Sequence, residues 1–152
     1  MFSLVWEYAS RWKTASPISI SVLIVDDEEP ICRFVQRVLR DAGYKTFVAG
    51  SGAEAVALAS KLEALDVLVT DVMMPKMMGD EVARRLRQDR PALKVLYLTG
   101  YSDSLFKEKV TLWEDEAYLD KPCTIKSLLQ AVSLLSLGSL DPPAKIKAVA
   151  EN

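Results

Sequence analysis

Short apolar runs recur at residues 22–25, 46–49, 67–70, 95–98 and 117–119, each rich in Val, Leu or aromatic side chains. Between them, apolar positions fall three and four apart, the spacing that lines one face of a helix. Residues 29–41 put Ile31, Phe34, Val35, Val38 and Leu39 on one face and end before Gly43. Residues 51–62 open with Ser-Gly-Ala-Glu, a capping pattern, and repeat Ala55, Leu58, Ala59 and Leu62. Residues 80–88 turn Val82, Ala83 and Leu86 inward and Arg84, Arg85 and Arg87 largely outward. A weaker pattern covers 102–112, and residues 124–137 align Ile125, Leu128, Leu129, Val132 and Leu135. Five strands alternating with five helices predict a parallel sheet covered on both faces, and strands that are apolar almost throughout agree with it.

The unusual polar residues all lie at one end of those strands. The first strand runs into Asp26-Asp27-Glu28-Glu29-Pro30, the third into Asp71, the fourth into Thr99-Gly100 and the fifth into Asp120-Lys121-Pro122. In open α/β sheets, sites form outside the carboxyl ends of the strands, where the strand order reverses. With the order 2-1-3-4-5, strands one and three flank that point, so Asp26, Asp27 and Asp71 are expected to converge. Three carboxylates in one pocket repel each other unless a cation intervenes. Oxygen ligands suit Mg²⁺, which takes one or two carboxylates and keeps several waters. With the Lys121 ammonium and the Thr99 hydroxyl alongside, this is a setting for a phosphoryl group, and Asp71 is the candidate nucleophile.

Each residue also has a plainer role. Asp26 and Asp27 would serve as helix caps, Asp71 as a turn residue, Thr99 as a strand-end hydroxyl and Lys121 as a solvated lysine. Their joint placement at four strand ends favours a site. Met73, Met74, Met77 and Met78 read as flexible packing rather than as metal ligands. Cys123 has nothing nearby to make it a catalytic thiolate.

Composition narrows the choice. The chain has 152 residues, half of them hydrophobic and about a quarter charged, as in an ordinary soluble domain with short extensions. A net charge of −2 gives no basic surface for nucleic acid, and no stretch approaches the ~20 apolar residues of a membrane span. The absence of histidine removes histidine triads, metal sites and phosphocarriers. Cys32 and Cys123 have no CxxC spacing and read as free thiols of a reducing, cytoplasmic compartment. Residues 1–20 form an extension without the features of a signal peptide. There Phe2, Val5, Ala9 and Trp12 fall at helical spacing, so a short helix packed on its own domain, a frayed end, or a partner or membrane-surface contact all fit. The main domain is expected over 21–138, with a Pro-Pro-containing tail at 139–152.

The segments VLIVDDEEP, DVLVTDVMMPKMMGDE, VLYLTGY and AYLDKP, in that order and at these intervals, make the chain resemble a response-regulator receiver domain of two-component signalling. The resemblance spans 22–122 and, with the last helix, reaches about residue 138. It implies a flavodoxin-like (βα)5 doubly wound sheet and Asp71 as the phosphorylated residue. It implies Asp27, Asp71 and the Met73 carbonyl as direct Mg²⁺ ligands, with Asp26 acting through water. Lys121 would pair with the phosphoryl group, and Thr99 and Tyr118 would be the switch pair. The Lys121–Pro122 bond is cis in similar proteins. Met73 and Tyr101 occupy the two positions that tune hydrolysis of the acyl phosphate in such domains, and both are bulky and poorly suited to hold a water.

The segment RQDRPALKVLYLTGYSD is similar to receivers of hybrid sensor kinases, while the usual Gly-Ala before the fifth strand is missing, which leaves 102–112 uncertain. No helix-turn-helix or basic recognition helix follows residue 138, so a stand-alone receiver without direct DNA binding is expected. Its partners would be a sensor histidine kinase or phosphotransfer protein and a downstream protein target. They would meet the face of the fourth helix, fifth strand and fifth helix, where Leu134 and Leu137 offer a partner or homodimer contact or simply widen the buried face. Rival classes are a Mg²⁺-dependent phosphatase with an Asp nucleophile, which would want a second Asp where Met73 stands, and a flavin carrier, whose phosphate the four acids after strand one would repel. The third is a receiver-like binding module that is never phosphorylated.

Overall fold

The computed structural model describes residues 19–100 and 115–137. The expected helix at 102–112, the N-terminal extension, the tail and Tyr101 lie outside the described residues. In chain order the elements are β1 (Ser21–Val25), α1 (Glu29–Asp41), β2 (Lys45–Ala49), α2 (Gly52–Ala59), β3 (Val67–Asp71), α3 (Gly79–Asp89), β4 (Lys94–Thr99), β5 (Glu116–Asp120) and α4 (Ile125–Leu137). The five strands form one sheet in the order β2-β1-β3-β4-β5, and all four pairings are parallel. This is the doubly wound, flavodoxin-like order expected from the sequence.

Successive side chains of a strand point to opposite faces, and the core divides accordingly. Val22, Ile24, Val67, Val69, Leu96 and Leu98 face α1 and α4, packing with Val35, Leu39, Leu128 and Val132. Leu23, Val25, Leu68, Val95 and Tyr97 face α2 and α3, packing with Ala55, Ala59, Val82 and Leu86. The central strands are therefore covered on both sides, which is why β1 and β3 tolerate no exposed position.

Several expectations need correction. Phe34 is 36% exposed, and Cys32 takes the core place instead. The buried stripe of α1 runs through Cys32, Val35, Val38 and Leu39. Phe34 sits one residue, about 100° of helix, to the side of Val35. The second helix stops at Ala59 rather than 62, leaving Leu58 and Leu62 only partly buried. Its start follows the capping pattern, with Ser51 Oγ accepting from Glu54 N at 3.2 Å and Glu54 Oε2 accepting from Gly50 N at 3.1 Å. Leu137 packs against the core and Leu134 is half-buried, so α4 has a wide buried face.

Arg87 is not an outward residue. Its side chain is 19% exposed and its Nη1 lies 2.6 Å from Glu116 Oε2, whose side chain is 3% exposed. Nη2 and Nε of Arg87 also donate to the Leu93 carbonyl at 2.9 and 3.1 Å. Tyr97 Oη donates to the same Glu116 oxygen at 3.1 Å. Burial, together with that carboxylate, pushes the Tyr97 phenol far above its usual value, so it stays a donor. This triad ties the end of α3 to the start of edge strand β5, and β5 in turn carries Lys121. Removing one partner of a buried pair leaves the other charge uncompensated. Arg87→Met is expected to cost roughly 3 kcal/mol in denaturant unfolding. Arg84→Met, which breaks an exposed i,i+3 pair with Glu81, is expected to leave the unfolding midpoint nearly unchanged.

Candidate functional site

Asp26 follows β1 and continues its ladder, donating from its N–H to the Ala49 carbonyl at 3.3 Å. Its Oδ1 accepts from Glu28 N at 2.9 Å, which turns the chain into α1. Glu28 is the N-cap and makes no side-chain capping bond, so Asp26 serves the turn before the helix and still directs Oδ2 elsewhere. It is 1% exposed, whereas Asp27 is exposed. Asp71 is the last residue of β3 itself, paired in register with Leu98 and 5% exposed. Just beyond, Gly79 N donates to Val72 O at 2.8 Å, folding the loop back so that α3 begins against β3. A Cβ on Gly79 would collide with the Asp71 carbonyl oxygen, so the close approach needs glycine. Within this loop Met74 is buried and Met77 packs against the core, whereas Met73 and Met78 are exposed, so the packing interpretation holds for two of the four methionines.

Lys121 arrives from the far side of the sheet. Its N–H donates to Thr99 O at 2.8 Å, and the Lys121–Pro122 peptide is cis. Its Nζ lies 2.9 Å from Asp26 Oδ2, 3.2 Å from Asp71 Oδ1 and 3.8 Å from Glu28 Oε1. Burial alone would lower the Lys121 pKa, but the bond to Asp26 and the charges of Asp26 and Asp71 outweigh it and raise the pKa. Asp26 moves the other way from a normal ion-paired acid: burial pushes it up despite Lys121 and the Glu28 N–H. By count of side chains, three carboxylates share this pocket with one ammonium.

Asp26, Asp27 and Asp71 each bring one carboxylate oxygen to within 4.8 Å of the others. Three hard oxygen donors, one of them on an exposed side that admits water, fit a small divalent cation such as Mg²⁺ better than a soft metal. The two thiols offer no competing chemistry. Burial pushes Cys32 up to about 11, and burial likewise raises Cys123.

The structure thus brings together Asp26, Asp27, Asp71 and Lys121, four of the residues singled out from the sequence. Thr99 is 1% exposed at the end of β4. Its hydroxyl donates to Asp120 Oδ1 at 3.0 Å, a partner that the sequence pattern did not single out. The register supplies the signal in hindsight, because Thr99 and Asp120 are paired across β4 and β5. Tyr118 pairs in register with Tyr97 and is 45% exposed. Met73, two residues after Asp71, is 48% exposed beside the pocket loop.

The family model for the response regulator receiver domain matches residues 22–133. The chain belongs to that family. The sensor kinase CckA of Brucella abortus is 33% identical over 115 residues, covering 75% of this chain and 12% of CckA. The response regulator receiver protein CpdR of the same organism is 28% identical, covering 78% of this chain and 98% of CpdR. Of the first two curated relatives that match, the chain spans 12% and 34% of the length, so those matches concern one domain of larger proteins. Among solved structures, a response regulator receiver protein from Sinorhizobium medicae superposes with a TM-score of 0.70 at 29% identity, covering 83% of this chain and all of that one. The protein therefore carries a receiver domain of the two-component response-regulator type. Among the described residues no helix is long and apolar enough to cross a membrane.

Proposed function

We propose that the protein is a phospho-accepting response regulator in which Asp71 takes a phosphoryl group from a phospho-histidine donor. The observation that carries this is the Lys121 ammonium held between Asp26 and Asp71, beside three converging carboxylates. An Asp71 carboxylate oxygen attacks phosphorus, the phosphorus–nitrogen bond of the donor breaks, and an acyl phosphate forms on Asp71. Asp26, Asp27 and Asp71, with the Met73 carbonyl, would hold Mg²⁺, which when bound neutralises charge on the transferred group. Lys121 leaves its pairing with the Asp71 carboxylate to pair with the phosphoryl oxygens. The Thr99 hydroxyl turns to donate to one of them, and Tyr118 follows it inward as the second switch residue. The chemistry stays confined to the protein's own side chain, so it acts as a signalling module rather than on a released substrate.

The donor is a sensor histidine kinase or a phosphotransfer protein, and the output is a protein target. The responding face is that of the fourth helix expected at 102–112, together with β5 and α4, and a homodimer would use the same face. The phosphatase alternative lacks its second acid, because Met73 stands where that Asp would be. The alternative of a module that is never phosphorylated is disfavoured by the complete set of Asp26, Asp27, Asp71, Thr99 and Lys121.

Incubation with Mg²⁺ and acetyl phosphate is expected to add one phosphoryl group to the wild-type protein, seen by intact mass. Asp71→Asn is expected to take none, and equal labelling of the variant would refute the assignment. The bulk of Met73, with Tyr101 as the residue at the second tuning position of the sequence, predicts slow self-dephosphorylation. Met73→Asn places an amide that orients an attacking water, so the phosphorylated variant should decay roughly tenfold faster. An unchanged decay rate would remove Met73 from that role.

A further inference from the structure

Thr99 and Asp120 end two neighbouring parallel strands in register. The Thr99 side chain is 1% exposed, so water is a poor alternative partner for its hydroxyl. The hydroxyl carries one proton and can donate to one strong acceptor at a time. In this structure that acceptor is Asp120 Oδ1, at 3.0 Å. Lys121, the next residue, sends its side chain the opposite way, to Asp26 and Asp71. The end of β5 thus places two consecutive residues on different tasks. One ammonium faces the acid cluster, and one carboxylate faces the hydroxyl that the phosphoryl group must capture.

We propose that Asp120 is a positioning residue that holds Thr99 in the resting state and competes with the phosphoryl group for its hydroxyl. The proposal rests on the phospho-accepting role of Asp71. A hydrogen bond to a carboxylate is stronger than one between neutral groups. Breaking it opposes the switch until a phosphoryl oxygen, also anionic, replaces it. The exchange is nearly even in hydrogen bonds, because the buried hydroxyl is satisfied in both states and would be costly to strand between them. Asp120 therefore sets how far an incoming phosphoryl group shifts the equilibrium toward the switched state. Any phosphoryl-like anion bound at Asp71 must spend part of its interaction with Thr99 on displacing Asp120.

The test uses beryllofluoride, a non-covalent phosphoryl mimic, with Mg²⁺ and the full chain. Its affinity is titrated by NMR chemical shifts or intrinsic fluorescence. Asp120→Ala is expected to bind it roughly tenfold tighter than wild type, the effect of one competing charge-assisted bond. Asp120→Asn, which keeps the shape and a weaker neutral acceptor, should fall between the two. In a Thr99→Ala background, Asp120→Ala should change the affinity by less than about twofold. Thermal unfolding identifies variants that fail to fold, and Asp120→Asn is the one that keeps the site's shape. Unchanged or weaker binding in the Asp120 variants overturns the proposal. So does a gain that persists without the Thr99 hydroxyl, because it would reflect only the removal of a repelling charge. Asp71→Asn serves as the separate control. If it binds beryllofluoride as wild type does, the phospho-accepting role fails instead.

Discussion

One ammonium among three carboxylates governs the site. Lys121 lies 2.9 Å from Asp26 and 3.2 Å from Asp71, and all three side chains are nearly closed to solvent. Removing that charge would take the ammonium away from two buried acids, and uncompensated charge costs several kcal/mol in a protein interior. With it, three carboxylates still outnumber the one ammonium, and burial raises the Asp26 carboxyl despite that partner. That residual charge is the useful property. In the proposed function it would attract a divalent ion, and the Lys121–Asp71 pairing is one that a phosphoryl group would take over without leaving a charge stranded.

The fold exists, in this view, to hold that balance in place. The ends of β1, β3 and β5 each deliver a piece of it, and the order β2-β1-β3-β4-β5 sets β1 beside β3 so that Asp26 and Asp71 approach one another. Continuous burial of the central strands fixes their register, since slipping by one residue would exchange the two core faces. Gly79 lets α3 start against the Asp71 carbonyl. The Arg87–Glu116–Tyr97 triad anchors β5, whose Glu116–Asp120 segment is less buried than its neighbours and depends more on such side-chain ties.

Much of this was legible in the chain. Apolar runs with few polar interruptions announced strands buried on both faces, and polar groups gathered after those runs announced the site edge. The placement of Asp26, Asp27, Asp71 and Lys121 after strands located the cluster because strand ends in such a sheet share one rim. What escaped were relations that depend on which helix faces which strand. Arg87 looked like a third surface arginine, since nothing in its helix pattern reveals a buried Glu116 twenty-nine residues later. Phe34 looked like core because two residues 100° apart on a helix both satisfy a loose apolar periodicity. Asp120 stood among the polar residues after the fifth strand without a role until the β4–β5 register put it against Thr99.

The proposed function requires that crowded negative charge in this pocket be relieved by a divalent ion. Urea unfolding of wild type and Asp71→Asn, each in EDTA and with saturating Mg²⁺, tests it most directly. In EDTA the variant is expected to be at least as stable as wild type, because one mutually repelling charge is gone. Mg²⁺ at about a hundred times its dissociation constant should then stabilise wild type by roughly 2–3 kcal/mol and the variant by little. A variant that is less stable than wild type in EDTA yet gains the same increment from Mg²⁺ would contradict it.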